Sequence, residues 1–90
     1  MRPVRFTLYS RNYCHLCHDM IAALESSRAT RDFQFDVVDV EDSPDLEARF
    51  GEWVPVLMAG EREIFHYYFQ ESLLDAALQH DSKDRAARKA

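Results

Sequence analysis

Two cysteines separated by two residues, Cys14 and Cys17, form the pattern in this chain that is best suited to chemistry. The alternating apolar and polar residues 4–9 come just before them and are typical of a strand. On a helix that begins at about residues 13–15, side chains three apart lie on the same side, so the two sulfurs can form a disulfide with little backbone movement. The spacing therefore predicts reversible thiol–disulfide chemistry.

The two cysteines are not equivalent in this arrangement. Cys14 lies among the unpaired N–H groups of the helix N-terminus, where the positive end of the helix dipole favours a thiolate. Cys17 lies one turn deeper, where shielding from water raises the pKa of a thiol. We predict that Cys14 is the nucleophile and that Cys17 resolves the mixed disulfide.

Composition and length restrict the class of protein. The 90 residues are 47% apolar, which suffices for one domain with a modest core and no structural disulfides. Neither a membrane span nor the apolar stretch of a signal peptide is present in the sequence, so we expect the reducing cytoplasm. We also expect a monomer. The net charge of −5 argues against a nucleic-acid partner, because phosphate binding needs a basic surface.

The first half of the chain predicts a strand, a helix and a second strand. The helix covers residues 15–28, with apolar side chains at three- and four-residue spacings. The second strand covers residues 33–40, and its nearly continuous apolar character is typical of a covered parallel strand. These elements make a βαβ unit.

The second half predicts a short helix, a hairpin and a last helix. Ser43 supplies a capping hydroxyl and Pro44 occupies the first position of the short helix. The predicted ranges are residues 44–50 for this helix, 54–58 and 62–66 for the hairpin strands, and 70–80 for the last helix. We expect an α/β fold with the order β-α-β-α-β-β-α in one domain over residues 1–80, followed by a polar, frayed tail over residues 81–90.

With these elements in this order, the chain resembles the small glutaredoxin-like proteins of the thioredoxin-fold superfamily. The likeness rests on Cys14-His15-Leu16-Cys17 after the first strand, on Val54-Pro55 at the third strand, and on the hairpin at Gly60. It implies a mixed four-stranded sheet flanked by helices and a thiol–disulfide oxidoreductase that uses a Cys14–Cys17 dithiol.

The resemblance also implies a substrate site beside the cysteines. It implies a cis Val54–Pro55 peptide bond against the cysteine pair, with the backbone of Val54 hydrogen-bonding an extended thiol substrate. Arg11 matches a basic position that glutaredoxins use near the thiolate and for a glutathione carboxylate. The predicted substrate-binding residues are Arg11, Tyr13, His15, Val54 and Pro55.

The chain departs from the glutaredoxin pattern at three places, one of which is the third-strand motif Trp53-Val54-Pro55, which lacks the usual threonine. His15-Leu16 stand where glutaredoxins commonly have Pro-Tyr, and a protonated His15 would make the pair more oxidising. After the fourth strand, where glutaredoxins have a Gly-Gly turn and an acidic residue that hold glutathione, this chain has the bulky residues 66–69. Because these side chains block backbone approach, we expect no bound cofactor.

The expected partners follow from the same resemblance. They are disulfide-containing proteins or small thiols as substrates, and glutathione or a thioredoxin-reductase-type system as the reductant.

Three other interpretations of the cysteine pair stay open from the sequence. The run Cys14-His15-Leu16-Cys17-His18 satisfies the haem-attachment pattern, which requires export, and the chain shows no export signal. The same run supplies four potential ligands for zinc or an iron–sulfur cluster, but neighbours on a helix point about 100° apart, so we predict no metal. A non-catalytic interaction module would bind its partner through the aromatic residues 67–69.

Overall fold

The structure of the protein, a computed structural model, describes residues 4–88, with side chains described through residue 80. The predicted order of elements is confirmed, with a 3-10 turn at Val40–Asp42 added. The elements are β1 (Val4–Ser10), α1 (His15–Ser27), β2 (Phe33–Asp39), α2 (Pro44–Phe50), β3 (Val56–Ala59), β4 (Arg62–His66) and α3 (Glu71–Arg88).

The four strands form one mixed sheet in the order β2-β1-β3-β4. β1 pairs with β2 in parallel and with β3 antiparallel, and β3 pairs with β4 antiparallel. Leu8 at the centre of β1 lies opposite Val37 of β2 and Leu57 of β3. The end of β1 that leads to the cysteines is therefore held between two neighbouring strands.

The expectation that β2 is a covered strand is wrong. β2 forms an edge of the sheet, and the side chain of Val37 is 48% exposed. An edge strand has a neighbour on one side only, so solvent reaches much of its apolar surface. Phe33 at its start is buried, whereas Asp36 accepts two hydrogen bonds from Arg5 of β1 on the exposed face, at 2.7 and 2.8 Å.

Buried residues form two clusters. The larger one lies between the sheet and helices α1 and α3 and contains Val4, Phe6, Leu8, Met20, Leu24, Phe33, Leu57, Phe65, Leu74 and Ala77. The smaller one contains Cys17, Val40, Phe50, Val54, Val56 and Met58, with Tyr9, Cys14 and Leu46 packed against it. In the smaller cluster the ring of Tyr9 stacks on that of Phe50, with centroids 4.1 Å apart. Both cysteines therefore belong to the smaller cluster.

Local signals set the ends of α2 and of the hairpin as predicted. The Ser43 hydroxyl accepts a hydrogen bond from the backbone N–H of Asp45 at 3.2 Å, with Pro44 at the first helical position. Gly60 has a φ of +62° in the turn between β3 and β4, a conformation that glycine adopts without a steric penalty. β3 begins at Val56, so Val54 and Pro55 lie in the segment just before it.

The last helix is longer than predicted. α3 runs from Glu71 to Arg88, beyond the expected end near His80 and into the stretch interpreted as a polar tail. Its buried residues Leu74 and Ala77 pack against the sheet. The division into a domain over residues 1–80 and a frayed tail stays a prediction, and residues 89–90 lie outside the described part of the chain. None of the helices described in residues 4–88 has the length and hydropathy of a membrane span.

Candidate active site

Cys14 is the N-cap residue of α1. Its backbone is extended, with a φ of −133°, and its sulfur accepts a hydrogen bond from the backbone N–H of Cys17 at 3.2 Å. Its carbonyl accepts from the N–H of His18 at 3.1 Å, as in the first turn of a helix. A side chain in this position normally accepts with an oxygen. Here a sulfur accepts, so the helix N-terminus directs an N–H donor at the atom that would carry the negative charge of a thiolate.

The two cysteines are free thiols that differ in exposure to solvent. Cys14 is partly exposed, whereas Cys17 has 0% of its surface exposed. Burial, followed by the hydrogen bond with Cys14, raises the pKa of Cys17 to about 12. Cys17 is therefore a neutral thiol at physiological pH, held directly behind the more exposed sulfur.

A shallow pocket of about 200 Å³ opens beside Cys14. Its lining includes two predicted substrate-binding residues, Tyr13 and His15, together with Asn12 and His18, which the sequence analysis did not assign to substrate binding. Tyr13 is 99% exposed. All of these residues are close to the cysteines in sequence. They belong to the loop after β1 and the first turn of α1, which together surround the sulfur of Cys14.

The segment Val54-Pro55 lies on the inner side of the cysteines. Both residues are buried, and the peptide bond between them is cis. Val54 belongs to the same buried cluster as Cys17, with Cys14 packed against that cluster. The structure therefore brings the two segments of the predicted site together, although about forty residues separate them in sequence.

Arg11 reaches α2. Its guanidinium donates hydrogen bonds to the carboxylate of Glu47 and, at 3.1 Å, to the carbonyl of Gly51, and it lies 3.8 Å from the carboxylate of Glu41. The hydrogen bond to Glu47 raises the pKa of Arg11. Arg11 in turn lowers the pKa of Cys17, first through a hydrogen bond from its backbone N–H and to a smaller extent through its charge, against the larger effect of burial. Arg11 thus joins the loop before the cysteines to α2 and affects the buried thiol.

Tyr67, in the segment after β4, contacts the loop before β3 at two points. Its backbone N–H donates to the carbonyl of Pro55 at 2.9 Å, and its hydroxyl donates to the carbonyl of Glu52 at 2.8 Å. From the sequence, this residue was interpreted as bulk that blocks glutathione or as a partner-binding aromatic. Glutaredoxins have a glycine turn at this position, and that turn is the one indication from the sequence that the backbone of Tyr67 is unusual.

The potential metal ligands around the cysteines differ in position. His15 and His18 are exposed, whereas Cys17 is buried. Within the described part of the chain, no group of three or more His, Cys, Asp or Glu side chains is arranged to hold a metal ion.

Comparison with known proteins identifies related sequences and folds. The chain matches the family described as Glutaredoxin-like domain (DUF836) over residues 5–79. It is similar to the glutaredoxin-like protein NrdH of Salmonella typhimurium, with 41% identity over 59 residues that cover 61% of this chain and 68% of that protein.

Two solved structures have the same fold. Protein Ne2328 from Nitrosomonas europaea, solved by NMR, gives a TM-score of 0.78 at 30% identity, covering 87% of this chain and 94% of that one. Protein XcR50 from X. campestris, solved by X-ray diffraction, gives 0.64 at 37% identity, covering 83% and 96% respectively. The predicted thioredoxin-like fold is confirmed, and the spacing of Cys14 and Cys17 is that of the redox pair in such proteins. The chain belongs to the glutaredoxin-like domain family.

Proposed function

We propose that this protein is a thiol–disulfide oxidoreductase that works by a dithiol mechanism. The observation that carries the proposal is the 3.2 Å hydrogen bond from the N–H of Cys17 to the sulfur of Cys14, with the buried thiol of Cys17 directly behind it. One sulfur meets the solvent at a helix N-terminus, and the other is one turn away. This asymmetry suits an attacking thiol and a resolving thiol.

In the first step, the Cys14 thiolate attacks one sulfur of a substrate disulfide. A bond forms between Cys14 and that sulfur, and the second substrate sulfur leaves as a thiolate. The protein and the substrate are then joined by a mixed disulfide. The N–H of Cys17 and the helix dipole stabilise the negative charge on Cys14 before the attack.

In the second step, Cys17 attacks the sulfur of Cys14 and releases the first substrate sulfur. Burial is the largest cause of the raised pKa of Cys17. The other two causes are its hydrogen bond with Cys14 and the negative charge of Cys14. Both of the latter are lost when Cys14 enters the mixed disulfide, so the pKa of Cys17 falls when its thiolate is needed. The two departing substrate thiolates take up two protons, one from Cys17 and one from the solvent, which received a proton when Cys14 ionised. The substrate gains two electrons, and the protein becomes the Cys14–Cys17 disulfide.

The substrate lies, in this proposal, between the pocket beside Cys14 and the segment Val54-Pro55. Tyr13 and His15 border the scissile disulfide, and the backbone of Val54 pairs with an extended chain next to it. Arg11 acts through its contacts with α2 and its charge near Cys17. Substrates with a peptide backbone gain hydrogen bonds here that small disulfides lack.

The oxidised pair needs two electrons to return to the dithiol. We propose that glutathione or a thioredoxin-reductase-type system supplies them in a reducing cytoplasm, and that the protein acts as a monomer. Glutathione serves as a reacting thiol and not as a bound cofactor.

A trapping experiment tests the mechanism. Reduced Cys17→Ser protein mixed with oxidised insulin should hold a mixed disulfide on Cys14, which intact mass and peptide mapping identify. The matched Cys14→Ser variant should form little adduct, because its remaining thiol is buried. An adduct that forms on Cys17 alone would reverse the roles, and a wild-type protein that reduces no disulfide would refute the function.

A further inference from the structure

Tyr67 has an unusual backbone for a large residue. Its φ is +66°, in the left-handed region that non-glycine residues seldom enter. The N–H of Tyr68 donates to the carbonyl of His66 at 2.7 Å, which is the pattern of a γ-turn centred on Tyr67. The γ-turn with a positive central φ is rare and strained. A conformation of this kind persists only where the surrounding structure holds it.

Both of the hydrogen bonds that Tyr67 donates go to the loop before β3. Its N–H and hydroxyl bind the carbonyls of Pro55 and Glu52, at 2.9 and 2.8 Å. Its ring packs against that of Trp53, with centroids 6.0 Å apart, and edge-on against His66 at 4.7 Å. The loop from Glu52 to Pro55 is therefore fixed at its first and its last carbonyl by a single residue.

That loop carries the substrate-pairing backbone of the proposed function, on which this inference rests. Val54 lies between the two carbonyls that Tyr67 holds, and it shares a buried cluster with Cys17. A backbone that pairs with an extended substrate must keep its orientation relative to the attacking sulfur. The hydroxyl of Tyr67 reaches the start of the loop, which its own backbone N–H does not.

We propose that Tyr67 is a positioning residue for disulfide substrates that have a peptide backbone. It acts through the loop 52–55, holding Val54 in the orientation that pairs with the substrate, and it need not touch the substrate itself. The side chain of Tyr67 thus supports the loop that lines the proposed substrate site and does more than block glutathione. The inference assigns to this chain a preference for peptide disulfides over small ones.

The test compares two disulfides in single-turnover reactions of the pre-reduced protein. KM here denotes the disulfide concentration that gives half of the maximal single-turnover rate. Oxidised insulin supplies a peptide backbone, whereas hydroxyethyl disulfide has none. Tyr67→Phe removes only the hydroxyl, so the KM for insulin should rise about threefold to tenfold, the effect of one lost hydrogen bond. The KM for hydroxyethyl disulfide should rise less, and the maximal rate with insulin should hold. The ratio of the two KM values is therefore the decisive readout.

Two further variants separate positioning from folding. Tyr68→Phe is the matched control, because Tyr68 is the next residue and its side chain is 65% exposed. The KM ratio of this variant should equal that of the wild type. Tyr67→Gly keeps the N–H and adopts a positive φ freely, so the turn should survive while the KM ratio rises at least as much as in Tyr67→Phe. A cooperative urea unfolding transition checks folding of each variant, and emission from Trp53, the single tryptophan, should shift in Tyr67→Gly, which loses the ring beside it.

The outcomes are distinct. An unchanged KM ratio in folded Tyr67→Phe overturns the positioning role and leaves the proposed function standing, as does an equal rise for both disulfides. If the wild type exchanges with neither disulfide, the proposed function fails and this inference fails with it.

Discussion

The backbone N–H of Cys17 points at the sulfur of Cys14 from 3.2 Å, so the residue that we propose as the resolving thiol also supplies a donor to the proposed attacking sulfur. The side chain of Cys17 is a buried thiol whose pKa is raised to about 12. Stabilisation of the first sulfur and protection of the second therefore arise from one turn of α1. Replacing either cysteine changes the environment of the other.

Alkylation of Cys17 should depend on Cys14. In reduced wild-type molecules whose Cys14 is still unmodified, which mass mapping of singly modified protein distinguishes, Cys17 should stay unmodified by iodoacetamide through pH 10, because burial and the hydrogen bond with Cys14 raise its pKa to about 12. In Cys14→Ser the negative charge is gone, so alkylation of Cys17 should begin at lower pH. Mass mapping across a pH series measures both profiles. Identical profiles in the two proteins would show that burial alone sets the reactivity of Cys17.

Stability of the reduced protein should fall as the pH rises above about 9. The folded-state pKa of Cys17 lies above its ordinary value of 9.0, so the folded state binds its proton more tightly than the unfolded state. The resulting stability is fully present below pH 9 and is lost as the pH approaches 12, with a slope of at most about 1.4 kcal/mol per pH unit.

Urea unfolding at pH 8 to 10.5 measures this slope. Cys17→Ala, which has no thiol at this position, is the reference and should have a shallower slope. Equal slopes in the two proteins would show that the thiol of Cys17 ionises as readily when folded as when unfolded.

Arg11 should speed the resolving step. The backbone hydrogen bond of Arg11 and, to a smaller extent, its positive charge lower the pKa of Cys17. Arg11→Met keeps the backbone and removes the charge, so it should slow the attack of Cys17 modestly and let the mixed disulfide accumulate. Rapid acid quenching followed by intact mass gives the fraction of mixed disulfide over time. Arg28→Met removes the same charge at the far end of α1, where Arg28 pairs with Glu25, and should leave that fraction unchanged. Equal accumulation in both variants would assign the effect to net charge.

Two adjacent leucines of α3 should differ sharply in their contribution to stability. Leu74 has 0% of its surface exposed and packs in the larger cluster, whereas Leu73 is 39% exposed. Leu74→Ala should lower the free energy of unfolding by about 3 kcal/mol, and Leu73→Ala by less than about 1 kcal/mol. Urea unfolding followed by Trp53 emission gives both values. Similar losses would mean that α3 packs with a different face toward the sheet.

Much of the fold could be predicted from the sequence because its signals are local. The apolar spacing of α1 and the Ser43 cap of α2 lie in short stretches that specify one structure each. The position of β2 could not be predicted in this way. The apolar character of Val37 suits a covered strand, but the order of strands, which depends on the whole chain, leaves β2 at an edge.

The site was predictable only in part, for a related physical reason. Cys14 and Cys17 interact across one helical turn, and their spacing shows it. The partners of Arg11 lie on α2, and those of Tyr67 lie on the loop before β3, so neither set of contacts is visible in the neighbouring sequence. The positive φ of Tyr67 also has no signal in its residue type, because tyrosine seldom adopts it.

The separation of the buried residues into two clusters has a consequence for a protein that changes oxidation state. Cys17 is a member of the smaller cluster and Cys14 packs against it, while α1, α3 and the centre of the sheet are joined by the larger one. The packing around the sulfurs and the packing of α3 against the sheet thus use different side chains, although α1 contributes to both clusters. A substitution in the buried face of α3 can therefore strengthen the scaffold without replacing any side chain of the cluster that surrounds the thiols.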